Sequence, residues 1–320
     1  MTPAPIRPKA LQPGSTVAIL SPAAPTVTLS EGADPFEMGM AQLQARGYQP
    51  KLMPNTRAYR QHLAGADAQR LQDLHDAFAD PTIDAILCAR GGYGTMRLLS
   101  KLSYELVGQH PKILIGFSDI TALHLALWQR TGLVGFYGPM LTSNLIDSNA
   151  TWDWQQLCKL VGTPPSAVTL PIPLENLDPY TCLTPGISKG RLLGGNLSLL
   201  AALCGTPFQP DTTGAILFIE DWRERYYSLD RQLMQLKLAG LLDQVAGLLF
   251  CDFSEIPTEF DIPLAVFIQQ WLAEMDLGHI PAGFGWSVGH GEHTATLPIG
   301  VQAQLNTETG QLLLLECPVS

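Results

Sequence analysis

The sequence predicts an α/β protein of two domains, with a mostly parallel sheet and flanking helices in its N-terminal half. The chain has 320 residues, and a typical domain has about 150. Short apolar runs alternate with helical patterns, as they do in βαβ units. Hydrophobic residues make up 46% of the chain and charged residues 15%, so a large core can form.

The elements of the first half follow one another as strand and helix. The predicted strands are 17–20, 51–53, 83–88 and 112–115. The predicted helices are 36–46, 67–78, 94–102 and 121–130. Asp67 is a candidate N-cap, and Pro81 follows the end of that helix. This alternation favours a flavodoxin-like or Rossmann-like sheet.

A proline-rich stretch suggests the domain boundary. Six prolines fall within 164–185, and proline lacks the N–H that a helix or a central strand needs. We therefore predict an N-terminal domain over 1–163, a linker over 164–185 and a smaller, mixed α/β C-terminal domain over 186–320. Within the last, 215–219 and 246–250 are predicted strands, and 229–238 is a predicted helix.

Composition excludes several classes of protein. The net charge is −10 and no basic face is concentrated, which argues against a nucleic-acid partner. The first apolar run, 17–20, is too short for a signal peptide, and no run approaches a membrane span. The six cysteines form no CxxC pair, which is typical of reduced thiols and not of a metal site. A cytoplasmic location is expected.

Ser118 lies where a predicted strand passes into a helix, in the segment Gly116-Phe117-Ser118-Asp119. Such a turn projects a side chain above the carboxyl edge of the sheet and presents helix N–H groups there. This is the arrangement of a nucleophile elbow, although Ile120 replaces the last glycine of the hydrolase signature. The alternative is that Ser118 only caps the helix.

A second turn, Arg90-Gly91-Gly92-Tyr93-Gly94, also follows a strand and is expected to face Ser118. It matches neither common nucleotide-binding pattern. The N–H groups of Gly92 and Asp119 are candidates for an oxyanion hole. The alternative is an ordinary tight turn.

A serine nucleophile needs a base, and histidine is the usual one. His290 lies between Gly289 and Gly291, which suits an imidazole directed into a cleft; His293 is its competitor. Glu220 ends a predicted strand and is a candidate to orient the imidazole. Asp221 is expected on the opposite face, and Glu220 could instead pair with a nearby arginine.

Taken together, these segments resemble the LD-carboxypeptidase, or muramoyltetrapeptide carboxypeptidase, family, which includes the microcin C immunity peptidases. The resemblance covers nearly the whole chain. It is carried by residues 13–18, 21–23, 90–94, 116–119, 137–139, 190–198, 219–221, 289–290 and 297–300.

The resemblance implies a serine peptidase with a Ser118–His290–Glu220 triad that uses no metal and no cofactor. The expected reaction releases terminal D-alanine from cytoplasmic murein tetrapeptides in cell-wall recycling, cutting after the L-centre of a diamino acid. Family members are commonly dimers, so a homodimer acting on a small peptide is expected.

Two further residues are candidates for contacts with the substrate or with the triad. Arg90 suits a contact with the terminal carboxylate of the substrate, or it is a structural arginine bonded to backbone carbonyls. Asn196 is a candidate support for the triad.

Three alternative functions stay open. An immunity-type peptidase would cleave an amide in a peptide-nucleotide, although no segment signals a nucleotide site. A non-catalytic binding module would not need the three triad candidates. A lipase-like esterase would be expected to have an HGGG-type turn, which the sequence lacks.

Overall fold

The computed structural model describes residues 3–26, 34–146, 151–162, 168–170 and 180–320. Contacts within the chain divide it into two compact units. The first comprises Met1–Pro165, Glu292–Gly300 and Pro318–Ser320, and the second comprises Ser166–Gly291 and Val301–Cys317.

Strands and helices alternate along most of the described chain. The strands are β1 (Thr16–Leu20), β2 (Gln49–Leu52), β3 (Ala85–Cys88), β4 (Ile113–Ile115), β5 (Gly135–Tyr137), β6 (Val168–Leu170), β7 (Thr181–Thr184), β8 (Ile187–Asn196), β9 (Ala215–Trp222), β10 (Gly247–Ser254), β11 (Ala282–Phe284), β12 (Leu297–Ile299), β13 (Gln302–Asn306) and β14 (Gln311–Leu314). The helices are α1 (Pro35–Ala45), α2 (Asp67–Ala79), α3 (Tyr104–Gln109), α4 (Ile120–Thr131), α5 (Thr151–Val161), α6 (Leu197–Leu203), α7 (Tyr226–Leu238) and α8 (Leu264–Glu274). No described helix has the length and apolar composition that a bilayer crossing requires.

The first unit is built on a sheet in the order β12-β5-β4-β3-β1-β2. β1 runs parallel to β2 and β3, and β4 runs parallel to β3 and β5. Only β12, among the described strands of this sheet, is antiparallel to its neighbour. The central strands are apolar and buried, as expected where helices cover both faces. The predicted α/β class is confirmed.

The second unit is built on a mixed sheet in the order β6-β14-β13-β8-β9-β10-β11-β7. The strands from β8 to β11 run parallel, and the remaining pairs are antiparallel. β9 is buried from Ala215 to Asp221 and ends at the half-exposed Trp222. The carboxyl end of β9 therefore carries Glu220 and Asp221, which are both still buried, next to the more exposed Trp222.

Two local predictions about helices were wrong. Residues 94–102 form two short 3₁₀ turns, Thr95–Arg97 and Leu99–Lys101, because the N–H and Oγ1 of Thr95 are bonded to Asp119 and not within a helix. The N-cap of α2 is Ala66 and not Asp67. Asp67 is the first helical residue, and its carboxylate binds Arg70 and Arg97.

The contacts also divide the chain differently from the predicted domain boundaries. β6 and β7 lie within the predicted linker, whose residues 164–167 and 171–179 are outside the described part. Both are edge strands, where proline-rich neighbours are tolerated because an edge strand pairs on one side only. β12 belongs to the first unit, because it is hydrogen-bonded to β5.

Candidate active site

Ser118 lies in a sharp turn between β4 and α4. Its φ is +62°, in the left-handed region that residues other than glycine rarely adopt. Its N–H donates to Oη of Tyr137 at 3.1 Å, and its carbonyl accepts from N and Oγ1 of Thr121 at 2.9 and 2.6 Å. The N-cap residue of α4 is Asp119. A strained residue held on both sides is the local geometry of a nucleophile elbow.

The glycine turn after β3 lies against Ser118. A Cβ at position 91 would lie 3.0 Å from Cβ and 3.2 Å from Oγ of the serine. Gly92 has φ +108°, and a Cβ there would collide with the side chain of Ala24. Glycine at these two positions therefore lets the backbone approach the serine hydroxyl closely.

Asp119 connects the serine turn to the glycine turn. Its carboxylate accepts from the N–H of Thr95 at 2.9 Å, and its carbonyl accepts from Thr95 Oγ1 at 2.6 Å. Burial raises the pKa of Asp119, and the bonds from Thr95 and Gly94 oppose that rise.

Arg90 begins the same turn and is exposed. Its Nη1 donates to the carbonyl of Pro25 at 3.3 Å, which is the kind of contact that the structural alternative predicts. The exposed guanidinium is still accessible to a ligand.

In the second unit, Glu220 and His290 form a hydrogen-bonded pair. Nδ1 of His290 lies 2.6 Å from Oε2 of Glu220, whose side chain is fully buried. Gly289 has φ +126°, and a Cβ there would collide with the Glu220 carboxylate. The glycine before the histidine is therefore what lets the imidazole loop approach the end of β9.

Asn196, the N-cap of α6, binds both carboxylates at the end of β9. Its Nδ2 donates to Oε1 of Glu220 at 3.1 Å and to Oδ1 of Asp221 at 3.0 Å. Asp221 also accepts from N and Oγ of Ser198 at 3.0 and 2.9 Å. The expectation that strand alternation separates the two carboxylates was wrong, because both turn toward the first residues of α6. Their functions differ by partner: His290 binds Glu220, and α6 binds Asp221.

The charges around His290 favour its protonated form. Burial lowers the pKa of the imidazole, but the hydrogen bond and charge of Glu220 and the charges of Asp221 and Asp252 together raise it above the usual value. Burial, and then the charge of Glu220, raise the pKa of Asp221 to about 6. A histidine with a raised pKa, bonded to a buried carboxylate, is suited to accept and return a proton.

The other residues considered from sequence have different partners. His293 Nδ1 lies 3.7 Å from Asp153 Oδ1, and its ring contacts Trp152. His124 is buried against the carbonyl of Gly116 at 2.9 Å, and burial lowers its pKa to about 4. The arginines after Glu220 pair elsewhere: Arg223 with Glu255, and Arg225 with Glu259.

The structure brings Ser118, Gly92 and Asp119 together in the first unit, and Asn196, Glu220 and His290 together in the second. Tyr137 and Thr95, for which no role was predicted, hold the two turns of the first unit. Tyr137 stands in one of the segments that carried the family resemblance, and that was its only signal. The described residues contain no group of three or more His, Cys, Asp or Glu that could hold a metal ion.

Comparison with known proteins gives the family. The model of the LD-carboxypeptidase N-terminal domain matches residues 17–138, and that of the C-terminal domain matches residues 189–305.

Individual relatives match over nearly their full length. A probable murein peptide carboxypeptidase from Bacillus subtilis is 40% identical over 307 residues, which are 94% of this chain and 92% of that protein. The murein tetrapeptide carboxypeptidase of Pseudomonas aeruginosa is 32% identical over 90% of this chain and 92% of its own length. The structure of the microcin C7 self-immunity protein MccF in complex with aspartyl sulfamoyl adenosine superimposes with a TM-score of 0.90, at 25% identity over 99% of this chain and 100% of that one. The chain therefore belongs to the LD-carboxypeptidase family and is a serine carboxypeptidase.

Proposed function

We propose that this enzyme releases terminal D-alanine from murein tetrapeptides by cutting its amide bond to the L-centre of a diamino acid. The observation that carries the proposal is the hydrogen bond of 2.6 Å between His290 and Glu220, whose carboxylate is fully buried. The relatives named as murein peptide and murein tetrapeptide carboxypeptidases support this substrate class. Such peptides are cytoplasmic intermediates of wall recycling, and the enzyme would act there as a homodimer.

The proposed mechanism assigns one step to each residue of a Ser118–His290–Glu220 triad. Oγ of Ser118 attacks the carbonyl carbon while Nε2 of His290 takes its proton, and Glu220 stabilises the imidazolium. The N–H groups of Gly92 and Asp119 bind the oxyanion of the tetrahedral intermediate. The C–N bond then breaks, and D-alanine leaves with the proton from His290. Water, deprotonated by His290, attacks the acyl carbon and releases Ser118 with its proton restored.

In this proposal the N-terminal domain supplies the nucleophile, and the C-terminal domain supplies the base and the acid. Arg90 binds the free carboxylate of terminal D-alanine, because a guanidinium matches a carboxylate with two parallel hydrogen bonds. Asn196 supports the base indirectly, since its Nδ2 holds the second oxygen of Glu220 at 3.1 Å.

The test is D-alanine release from a panel of tetrapeptides that carry diaminopimelate or lysine. We expect hydrolysis of at least one by the wild type and a loss of about 10⁴-fold or more in Ser118→Ala. Ser100→Ala, which removes an exposed hydroxyl, is the matched control and should keep full activity. Release of D-alanine by Ser118→Ala at the wild-type rate would refute the serine mechanism.

A second candidate function is hydrolysis of a peptide-nucleotide amide, as in an immunity peptidase. It is favoured by the fit to the MccF complex with aspartyl sulfamoyl adenosine, at a TM-score of 0.90. The same protein preparations should be assayed with an aminoacyl sulfamoyl adenosine. If the enzyme hydrolyses that compound and none of the tetrapeptides, peptide-nucleotide hydrolysis is its function.

A further inference from the structure

The imidazole of His290 is covered on one face by an aromatic ring. The indole of Trp222, the last residue of β9, lies parallel to it, with ring centroids 5.6 Å apart and planes 5° from each other. Trp222 is 39% exposed, whereas the side chain of His290 is only 16% exposed. The indole is therefore the more exposed of the two parallel rings.

Trp222 is itself held in place by its neighbours at the ends of β9 and β10. Its Nε1 donates to Oε1 of Glu255 at 3.0 Å. The other oxygen of Glu255 accepts from Nε of Arg223 at 2.7 Å, and the Arg223 guanidinium lies 4.2 Å from the indole centroid. The indole is thus bonded at its edge and covered by a guanidinium.

The backbone of the two residues that contact Trp222 adopts unusual conformations. Arg223 and Glu255 both adopt left-handed φ values, +60° and +55°, which are unfavourable for residues with a side chain. The N–H of Arg223 donates to the carbonyl of Ser254 at 3.0 Å. Two unfavourable conformations side by side indicate a geometry that the surrounding contacts maintain.

We infer that Trp222 is a positioning residue that sets the plane of the His290 imidazole, and that Glu255 holds Trp222 in that position. The hydrogen bond to Glu220 fixes Nδ1 but permits the ring to tilt about that bond. A parallel indole removes this freedom, since tilting would separate the stacked rings. The inference rests on the proposed role of His290 as base.

The charged groups around this ring are the carboxylates of Glu220 and Asp221 on β9 and of Asp252 on β10, with the Arg223–Glu255 pair beyond the indole. Glu220 is the one that binds Nδ1 directly. The hydrogen bond between Nδ1 of His290 and Glu220 should therefore respond to any change in the orientation of the imidazole ring.

Kinetics test the inference with three variants. Trp222→Ala should lower kcat about 3- to 10-fold with little change in KM, which is the range that one aromatic pair supplies. Trp222→Phe should recover most of the loss because it restores a flat ring. Glu255→Ala should give a smaller loss, since Arg223 still covers the indole. Tyr227→Ala removes an aromatic ring that is more exposed, at 67%, and lies five residues further along the chain, and it should leave kcat unchanged.

A measurement without substrate separates this inference from the proposed function. The Nδ1 proton shared with Glu220 should give a far-downfield proton NMR signal in the wild type and in Trp222→Phe. It should broaden or vanish through exchange with water in Trp222→Ala, and it should be absent in Glu220→Gln. An unchanged signal in Trp222→Ala would overturn the inference even in a fully active enzyme. The expected loss would sustain the positioning role even if no tetrapeptide were cleaved.

Discussion

The Glu220 carboxylate is fully buried, and its two oxygens have different partners. Oε2 lies 2.6 Å from the imidazole of His290, and Oε1 accepts from the amide of Asn196 at 3.1 Å. A buried charge is tolerated only where hydrogen bonds replace its hydration. At the scale of single residues, this requirement selects an amide and an imidazole as its neighbours.

The first prediction at this scale concerns Glu220→Gln. The neutral amide cannot stabilise an imidazolium, so the proposed triad predicts that kcat falls about 10³- to 10⁴-fold. Because Glu220 raises the pKa of His290, the acid limb of kcat/KM should move to lower pH in the variant. D-alanine release from pH 5 to 9 checks both effects, with Glu308→Gln, an exposed site, as the control. A normal rate would remove Glu220 from the mechanism.

A second prediction follows from Asp221, whose pKa is raised from 3.8 to about 6, chiefly by burial. Well below pH 3.8 the carboxyl is protonated in both the folded and the unfolded states. As the pH rises from about 4 to 6, the unfolded chain loses this proton while the folded chain keeps it. The free energy of unfolding should therefore fall with rising pH, by up to about 3 kcal/mol.

Urea unfolding from pH 4 to 7 measures this fall. Asp221→Asn should flatten the slope, although lost hydrogen bonds lower stability equally at each pH. Asp243→Asn changes an exposed carboxylate and should leave the slope unchanged. An equal slope in Asp221→Asn would contradict the assignment.

At the level of strands and loops, glycines set how closely the loops approach two clusters of candidate site residues. One cluster surrounds Ser118, and the other surrounds Glu220. Gly91 lets the turn after β3 lie against Ser118, and Gly289 lets the loop after β11 lie against Glu220. Each cluster therefore depends on a contact between backbone and side chain that any Cβ would disturb.

Gly289→Ala should show this dependence. The substitution puts a Cβ into the Glu220 carboxylate at a backbone with φ +126°, so we expect a loss of about 2 kcal/mol or more in unfolding free energy. kcat should fall about 10²-fold, since a small displacement of a catalytic group has that effect. Gly108→Ala in α3 meets no atom within 4 Å and should be neutral or raise stability by up to about 1 kcal/mol. Equal stability of the two variants would contradict this account.

At the scale of the whole molecule, each sheet is completed by residues from late in the chain. β12 pairs with β5 in the first sheet, and β13 and β14 extend the second sheet from β8. Neither unit is therefore a continuous segment of the chain.

A chain that stops after Gly291 should test this interdependence. It lacks β12, β13 and β14, and would leave β5 and β8 as unpaired edges with apolar faces. We expect aggregation or the absence of a cooperative unfolding transition in circular dichroism. A chain that stops after Cys317 loses the hydrogen bonds of Ser320 to Ala10 and Pro8 but should unfold cooperatively. Cooperative unfolding of the shorter chain would mean that each unit folds without β12, β13 and β14.

Much of the fold could be predicted because its signals are local. Apolar runs and helical periodicity identified β1, β3, β4, α2 and α4 to within a few residues. The 3₁₀ turns at 95–101 could not be predicted, because the bond from Thr95 to Asp119 joins residues 24 apart in the chain. β12 was missed for the same reason: its partner is β5, far away in sequence.

For the candidate site, the strand-to-helix turn at Ser118, the glycine turn and the family could all be predicted from sequence. Both turns are short motifs whose residue types carry their own backbone preferences. The flanking glycines and the family resemblance also favoured His290 over His293 as the partner of Glu220. The turn of Asp221 toward α6 and the stacking of Trp222 on the imidazole became visible in the tertiary structure alone. Both depend on contacts between residues far apart in the chain, such as Asn196 to Asp221 and Trp222 to His290, about which local sequence preference carries no information.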